Sequence, residues 1–366
     1  MQISPVENAV PERASGRGAS VRTVAVQGLK LLVAVGVVFY LVERGDIAWE
    51  PLRASLRRWE LTLPAFLLLA LMPLAQLWRW QSLLRASQLH LPHREVFSFL
   101  MVSKFFNMAF PGYISGDILR GFYVSRRASG NRESNLPKEP REPSQPREPN
   151  SRVGAPVVVA SIVLDRIAGL IPLFTLCLIG LLGSLSDSIP REVILSVGTL
   201  ATVGLLAPLL LFVLTYRKPE LPALLVRLVR WPRVERFFSA LYEGAHRYAR
   251  NLKLIRNILA ISFLNQGLAI SSFVLFGWAL QLDIPVMTYL MLVPLGLLVT
   301  AIPVSPAGLG VGQVAFLALF HLAGTSQGAN LFTLYMASYV VINLAGAFLY
   351  LFPRMEAIQN APVSKE

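Results

Sequence analysis

The sequence predicts an all-α polytopic membrane protein with about six spanning helices, two oppositely oriented re-entrant hairpins and an inverted repeat. Three observations carry that prediction. Hydrophobic residues make up 54% of the 366-residue chain and charged residues only 15%, against about 25% charged in an average soluble domain. Charge is also missing over long stretches: Val193 to Tyr216 has none, and between Arg256 and Arg354 the sole formal charge is Asp283. Finally, two apolar stretches are broken by Pro/Gly-rich turns: Val96 to Arg127 at Phe110 to Asp117, and Ile284 to His321 at Pro303 to Gly312. Non-helical backbone at membrane depth is tolerated only inside protein or beside a wet cavity, and paired broken segments point to a transporter's site.

Residues 1–20, rich in Pro, Gly and Glu, read as a disordered cytosolic tail. The apolar run Val24 to Val42 follows Arg13, Arg17 and Arg22 as in a signal peptide. Glu43-Arg44-Gly45 follows it instead of a small-residue cleavage site, so it reads as a retained first span. The remaining spans are 62–82, 154–182, 192–216, 257–281 and 328–352, each near the roughly 20 residues that a crossing needs. One transmembrane domain, 21–356, therefore precedes a short tail, 357–366.

Orientation follows from the loop 217–256, whose ten Lys/Arg face only Glu220, Glu235 and Glu243. Such an excess marks the cytoplasmic side and puts both termini there, in a bacterial inner membrane. The first hairpin is flanked by Arg94 and by Arg126-Arg127, so it enters from the cytoplasm; the second lies between outside-facing connections. Span, span, inner hairpin, span is thus followed by span, span, outer hairpin, span. Trp49, Trp59, Trp78, Trp80, Trp231 and Trp278 fall near the inferred interfaces, where Trp concentrates. Within 128–152, a Pro-rich cytosolic insert, prolines 137, 140, 143, 146 and 149 favour polyproline II, as a solvated spacer or a docking ligand. Leucines and aromatics at helical spacing in 217–256 fit helices on an anionic membrane surface, and equally fit covers for the bundle's ends.

Chemistry-bearing residues concentrate in the first hairpin: Ser103, Lys104 and Asn107 before the break, Asp117 and Arg120 after it. Asp165-Arg166 lies a third of the way into the next span. A charge at the bilayer centre costs about 2.5–3.5 kcal/mol even on lenient scales, so these groups must face protein or water. Adjacent helical residues do not face each other, so Asp165 and Arg166 should pair elsewhere, the first hairpin being one place. An anionic headgroup would find Lys104, Arg120 and the amides of the break together; the competing reading is structural, with Asp117 capping its helix and pairing with Arg120. The outer turn offers Ser305, Gln313 and the glycines Gly308 and Gly310 as backbone contacts to a headgroup. Its G-x-G-x-G spacing follows no strand, which excludes a nucleotide turn.

The net charge of +13 sits mostly in the basic loop and does not imply nucleic acid. One cysteine, Cys177, allows no intrachain disulfide. His90, His93, His246 and His321 lack the clustered partners of a metal site. No nucleophile with a base, Walker loop or acid pair is visible, so neither a cofactor nor an enzyme is expected.

As a set, these residues resemble the lysylphosphatidylglycerol synthase transmembrane region, a flippase-like family. The matching pieces are Arg79-Trp80 with Leu83-Leu84, and Asn107 with Pro111-Gly112, Gly116-Asp117 and Arg120. They continue with Asp165-Arg166 and Gly169-Leu170, then Ser305-Pro306, Gly308, Gly310 and Ala315-Phe316. The resemblance implies a bundle with re-entrant helices that translocates lipids, and it adds Arg79 to the candidate site. Some members move aminoacylated phosphatidylglycerol outward; others are fused to glycosyltransferases. This chain departs from the pattern in having Gly312-Gln313 where members often carry a charge; with no soluble aminoacyl-transferase domain read before Glu366, it is not expected to synthesise lysylphosphatidylglycerol itself. The expectation is a lipid translocase acting on an anionic or headgroup-modified phospholipid. The alternative is a non-catalytic membrane partner that presents lipid to, or anchors, a separate synthase or glycosyltransferase.

Overall fold

A backbone inside hydrocarbon must satisfy its own N–H and C=O groups, which a helix does. Helix accounts for all of the regular structure among the described residues of this protein. A computed structural model describes residues 53, 55–109, 115–135, 155–185, 190–217, 239, 242–243, 245–246, 248–302 and 307–351. In chain order the helices are α1 (Trp59–Ala86), α2 (His93–Ala109), α3 (Ser115–Asn135), α4 (Ala155–Gly183) and α5 (Arg191–Arg217). They continue with α6 (Leu252–Ala279), α7 (Val286–Thr300), α8 (Val311–His321) and α9 (Gly328–Leu351).

Five of these, α1, α4, α5, α6 and α9, are long and apolar enough to cross a membrane, so the chain is a multi-pass membrane protein. The 17, 15 and 11 residues of α2, α7 and α8 make rods of about 25, 22 and 16 Å at 1.5 Å per residue. All three fall short of the roughly 30 Å hydrocarbon layer. Pro64, Pro73, Pro172, Pro208 and Pro294 lie inside helices, as neighbouring helices allow in membrane bundles.

Several boundaries differ from the sequence reading. α1 extends beyond 62–82 at both ends, because a helix continues past the apolar run until its cap. Ser115 to Asp117 and Val311-Gly312, read as parts of the breaks, are already helical. α3 reaches Asn135, inside the segment assigned to the Pro-rich insert. The first proline there is Pro137, and only the residue before a proline is driven out of helix. Of the tryptophans read as near the interfaces, Trp80 is 0% exposed and packs in the core, whereas Trp59, Trp78 and Trp278 are exposed. The first span 24–42, residues 110–114 and 303–306 of the breaks, the proline run and residues 218–238 lie outside the described residues.

Between membrane helices the hydrophobic effect is weak, and close van der Waals packing does the holding. Here α1 packs along α6, α2 along α9 and α4 along α7, while α2 also packs on α3, and α7 on α8. Small residues set the closest approaches. A Cβ on Gly180 of α4 would sit 2.4 Å from the Met291 amide nitrogen of α7, and one on Gly346 of α9 would sit 2.1 Å from the Met101 carbonyl oxygen of α2.

The ends of α1 and α6 share a construction. Gln88 (φ 62°) and Gln281 (φ 61°) adopt the left-handed conformation that stops a helix. The next residue then donates back five positions: Leu89 N–H to the Leu84 carbonyl, and Leu282 N–H to the Gly277 carbonyl, both 2.9 Å. The segments read Gln88-Leu89-His90-Leu91-Pro92 and Gln281-Leu282-Asp283-Ile284-Pro285. Their four aliphatic side chains are all buried, and each proline stands immediately before the next short helix.

Candidate functional site

Six helices bring polar side chains to one cluster, which lies roughly 10–15 Å in from the nearer ends of α1, α4 and α6 by helical rise. Asp165 of α4 is the centre. Its Oδ1 accepts from Arg79 Nε of α1 at 2.7 Å, and its Oδ2 lies 3.4 Å from Arg120 Nη2 of α3. Arg120 Nε in turn is 3.2 Å from Asp117 Oδ1, one helical turn earlier. Asp117 Oδ2 accepts from Arg166 Nη2 at 2.7 Å and Nε at 2.9 Å. Successive residues on a helix point about 100° apart, which is how neighbours Asp165 and Arg166 reach different partners. The five groups form one chain of alternating sign with arginine at both ends.

Burial is steep along this chain. Arg79, Arg120 and Asp165 are 8%, 3% and 5% exposed, while the Arg166 side chain is 51% exposed and marks the open end. Broken pairs are expensive in such surroundings, because an uncompensated buried charge is left behind. Arg79 Nη1 also donates to Ser262 Oγ of α6 at 3.0 Å, and the Arg120 guanidinium stacks over Trp80, 4.9 Å from the ring centroid. Lys104 of α2 points its ammonium at the Tyr339 ring of α9, 5.7 Å from the centroid. Arg166, Arg120, Arg79 and Asp165 are all within its electrostatic reach.

Asn107 works on the backbone. Its Oδ1 accepts from the Gly116 amide at 2.8 Å, and Ser115 Oγ donates to the Phe106 carbonyl at 3.1 Å, tying the start of α3 to the end of α2. Gly116 is required there: a Cβ would stand 1.9 Å from the Ser103 carbonyl oxygen. That contact fixes how far Asp117 and Arg120 lie from Lys104.

The outer-turn candidates form a separate group in the larger apolar core, beside Ala307, Leu309 and Phe316. Gly308 and Gly310 take positive φ of 73° and 74°, and Gln313 Oε1 accepts from the Gly310 amide at 2.7 Å, capping α8. Ser305 lies outside the described residues. Two apolar grooves of about 390 and 410 Å³ flank α6 toward the opposite end of the bundle, beside Trp59 and Trp278.

Sequence reasoning missed Ser262, Tyr339 and the inward-facing Trp80. Ser262 had a signal, since it shares a helical face with Gln266, and the neighbouring Asn265 bonds Gln76 of α1 at 3.2 Å. Tyr339 had none among the tyrosines of the last span. No curated protein and no solved structure matches the chain. A family model described as "Lysylphosphatidylglycerol synthase TM region" does match, over residues 27–346. The match takes in every helix that builds the charged site, so the chain belongs to the lysylphosphatidylglycerol synthase TM region family.

Proposed function

We propose that this protein is a flippase-like lipid translocase, and that the charged site receives the lipid headgroup. The observation that carries the reading is the alternating chain from Arg79 to Arg166, with Lys104 beside it, set inside a multi-pass bundle. Ionisable groups at such depth mark substrate pathways in membrane proteins. A half-exposed arginine at one end gives a polar group a way in.

An inverted repeat fits the packing. If α1, α2, α3 and α4 correspond to α6, α7, α8 and α9, then α1 against α6 is its own counterpart, and α2 on α9 corresponds to α7 on α4. The glycine contacts obey the same exchange, Gly346 meeting Met101 and Gly180 meeting Met291. So do the paired left-handed glutamines that end α1 and α6. In this reading α2–α3 and α7–α8 are hairpins that enter from opposite faces and expose one central site in turn.

Reconstitution into vesicles tests the function. The protein should accelerate transbilayer movement of a headgroup-labelled anionic phospholipid, and Asp117→Asn or Arg120→Ala should slow it at least about tenfold. Unchanged movement in both variants rejects this site, and no acceleration by the unaltered protein rejects the translocase.

A further inference from the structure

The shape of the groove beside Trp278 decides what can fill it. Its floor is one stripe of α6 running from Phe263 through Gly267 and Ser271 to Trp278, and Leu176 of α4 and Leu290 of α7 stand beside it. By helical rise that stripe is about 22 Å long. A volume of about 410 Å³ spread over that length leaves a mean section of about 20 Å². A helix with its side chains is about 10–12 Å across and cannot lie in so thin a slot, whereas one extended hydrocarbon chain fits it. No charged side chain lines the groove. Phe263, Trp278 and Val286 at its edges are exposed on the outside of the bundle, and water does not fill an apolar space of this kind.

Gly267 gives the groove its depth. A glycine inside a helix costs about 0.8–1.0 kcal/mol relative to alanine, and elsewhere in the bundle the missing side chain admits a neighbour. Gly204 receives the Phe174 ring, Gly296 the Phe316 ring and Gly312 the Phe332 ring. At Gly267 a Cβ would meet nothing within 4 Å, so no protein group takes the space. The other end of the groove is marked by Trp278, a residue type that concentrates where hydrocarbon meets water.

We infer that this groove seats one acyl chain of a bilayer lipid, with the headgroup end beside Trp278 and the chain end over Gly267. Phe263 directly follows Ser262, which accepts from Arg79, so the deep end of the groove stands level with that bond on another face of α6. The seat deepens the translocase reading by giving the lipid's tail a track outside the bundle, and it rests on that reading for this use. Occupancy itself needs only the bilayer.

Photolabelling of the full chain in phosphatidylcholine vesicles tests it. A trace of phosphatidylcholine carrying a diazirine at the chain end should label Phe263, Gly267 and Ile270. The same lipid with the diazirine next to the ester should label Trp278 and Val286. Gly267→Leu and, as a second variant, Ser271→Leu fill the slot without meeting backbone. Each should lower chain-end labelling of the stripe to the level at Leu206 and Leu210, which are exposed on α5 and do not line the groove. Leu264→Phe, at an exposed neighbour that does not line it either, should leave the pattern unchanged.

Labelling that ignores the position of the diazirine, or that survives both Gly267→Leu and Ser271→Leu, overturns the proposal. Cross-links from Phe263 or Trp278 to a second copy of the chain overturn it in favour of a protein occupant. Because labelling is read without transport, a labelled groove in a protein that moves no lipid would keep the seat and remove the translocase. Transport that persists in a chain with no position-dependent labelling would do the reverse.

Discussion

Arg79 and Asp165, 86 residues apart in the chain, meet at 2.7 Å in the interior, and their pairing joins α1 to α4. Asp165 serves two arginines at once, Arg79 and Arg120. The cost of altering it is therefore asymmetric. Asp165→Asn leaves buried Arg79 with no carboxylate and Arg120 with Asp117 alone, and should destabilise the protein by about 3–5 kcal/mol, the range for breaking a buried pair. Arg79→Met leaves Asp165 with Arg120 and should cost less. The double variant should recover part of the loss, which dye labelling of Cys177 during heating would measure. Strictly additive losses would mean that the two groups do not act as a pair.

Asn107 separates structural from electrostatic roles. Asn107→Ala orphans the buried Gly116 amide, at a cost of about 1–3 kcal/mol. Asn107→Asp keeps the acceptor for that amide and brings a third carboxylate toward the site. Stability should then be largely retained while anionic lipid binding falls, as read by the same melting assay with and without an anionic phospholipid. If the Asn107→Asp and Asn107→Ala variants bound lipid equally, the charge at this position would be irrelevant to the ligand.

The glycine contacts between the halves give a third expectation. Gly180→Ala and Gly346→Ala force a methyl group into the backbone of α7 or α2, and each should cost about 1–3 kcal/mol by overpacking. Gly267→Ala on α6 meets nothing within 4 Å and should be neutral, or stabilising by up to about 1 kcal/mol through helix propensity. Equal effects at all three positions would show that the close approaches do not constrain the bundle.

How much of this was legible in the sequence depends on the length scale of the cause. The five described spans followed from long, predominantly apolar runs, because the membrane imposes that pattern on any crossing helix. Lys104, Asn107, Asp117, Arg120, Asp165 and Arg166 stood out because ionised or polar groups are costly where they lie. The Asp117–Arg120 pair and the pairing of Asp165 and Arg166 with the first hairpin were among the readings the spacing offered; that Asp165 also meets Arg79 was not legible, since Asp165 could face either flank until helix rotation was known. That Trp80 turns inward was not legible, because a tryptophan near a span's end gives no sign of the face it takes; the stack with Arg120 shows it. The Gln-Leu-x-(Leu/Ile)-Pro segments at the ends of α1 and α6 were readable as a repeat. Five residues acquire that meaning only when both segments are seen to stop a helix in the same left-handed turn.

Membrane sidedness supplies the last prediction. In sealed vesicles of a Cys177→Ala background, single cysteines replacing His93 and Arg127 should react with a membrane-impermeant thiol reagent from one and the same side. Cysteines replacing Pro285 and Gly324 should react together from the other. The physical reason is reach: α2 with 17 residues and α8 with 11 are about 25 and 16 Å long, too short to carry the chain across roughly 30 Å of hydrocarbon. The contact of Gly116 with Ser103 and the Asn107 bond to the Gly116 amide hold the start of α3 against the last turns of α2, so the chain turns back at that point. Reaction of His93 and Arg127 substitutes from opposite sides would make α2–α3 a complete crossing, reverse every later span, and reject the proposed pair of opposed hairpins together with the alternating exposure proposed for the charged site.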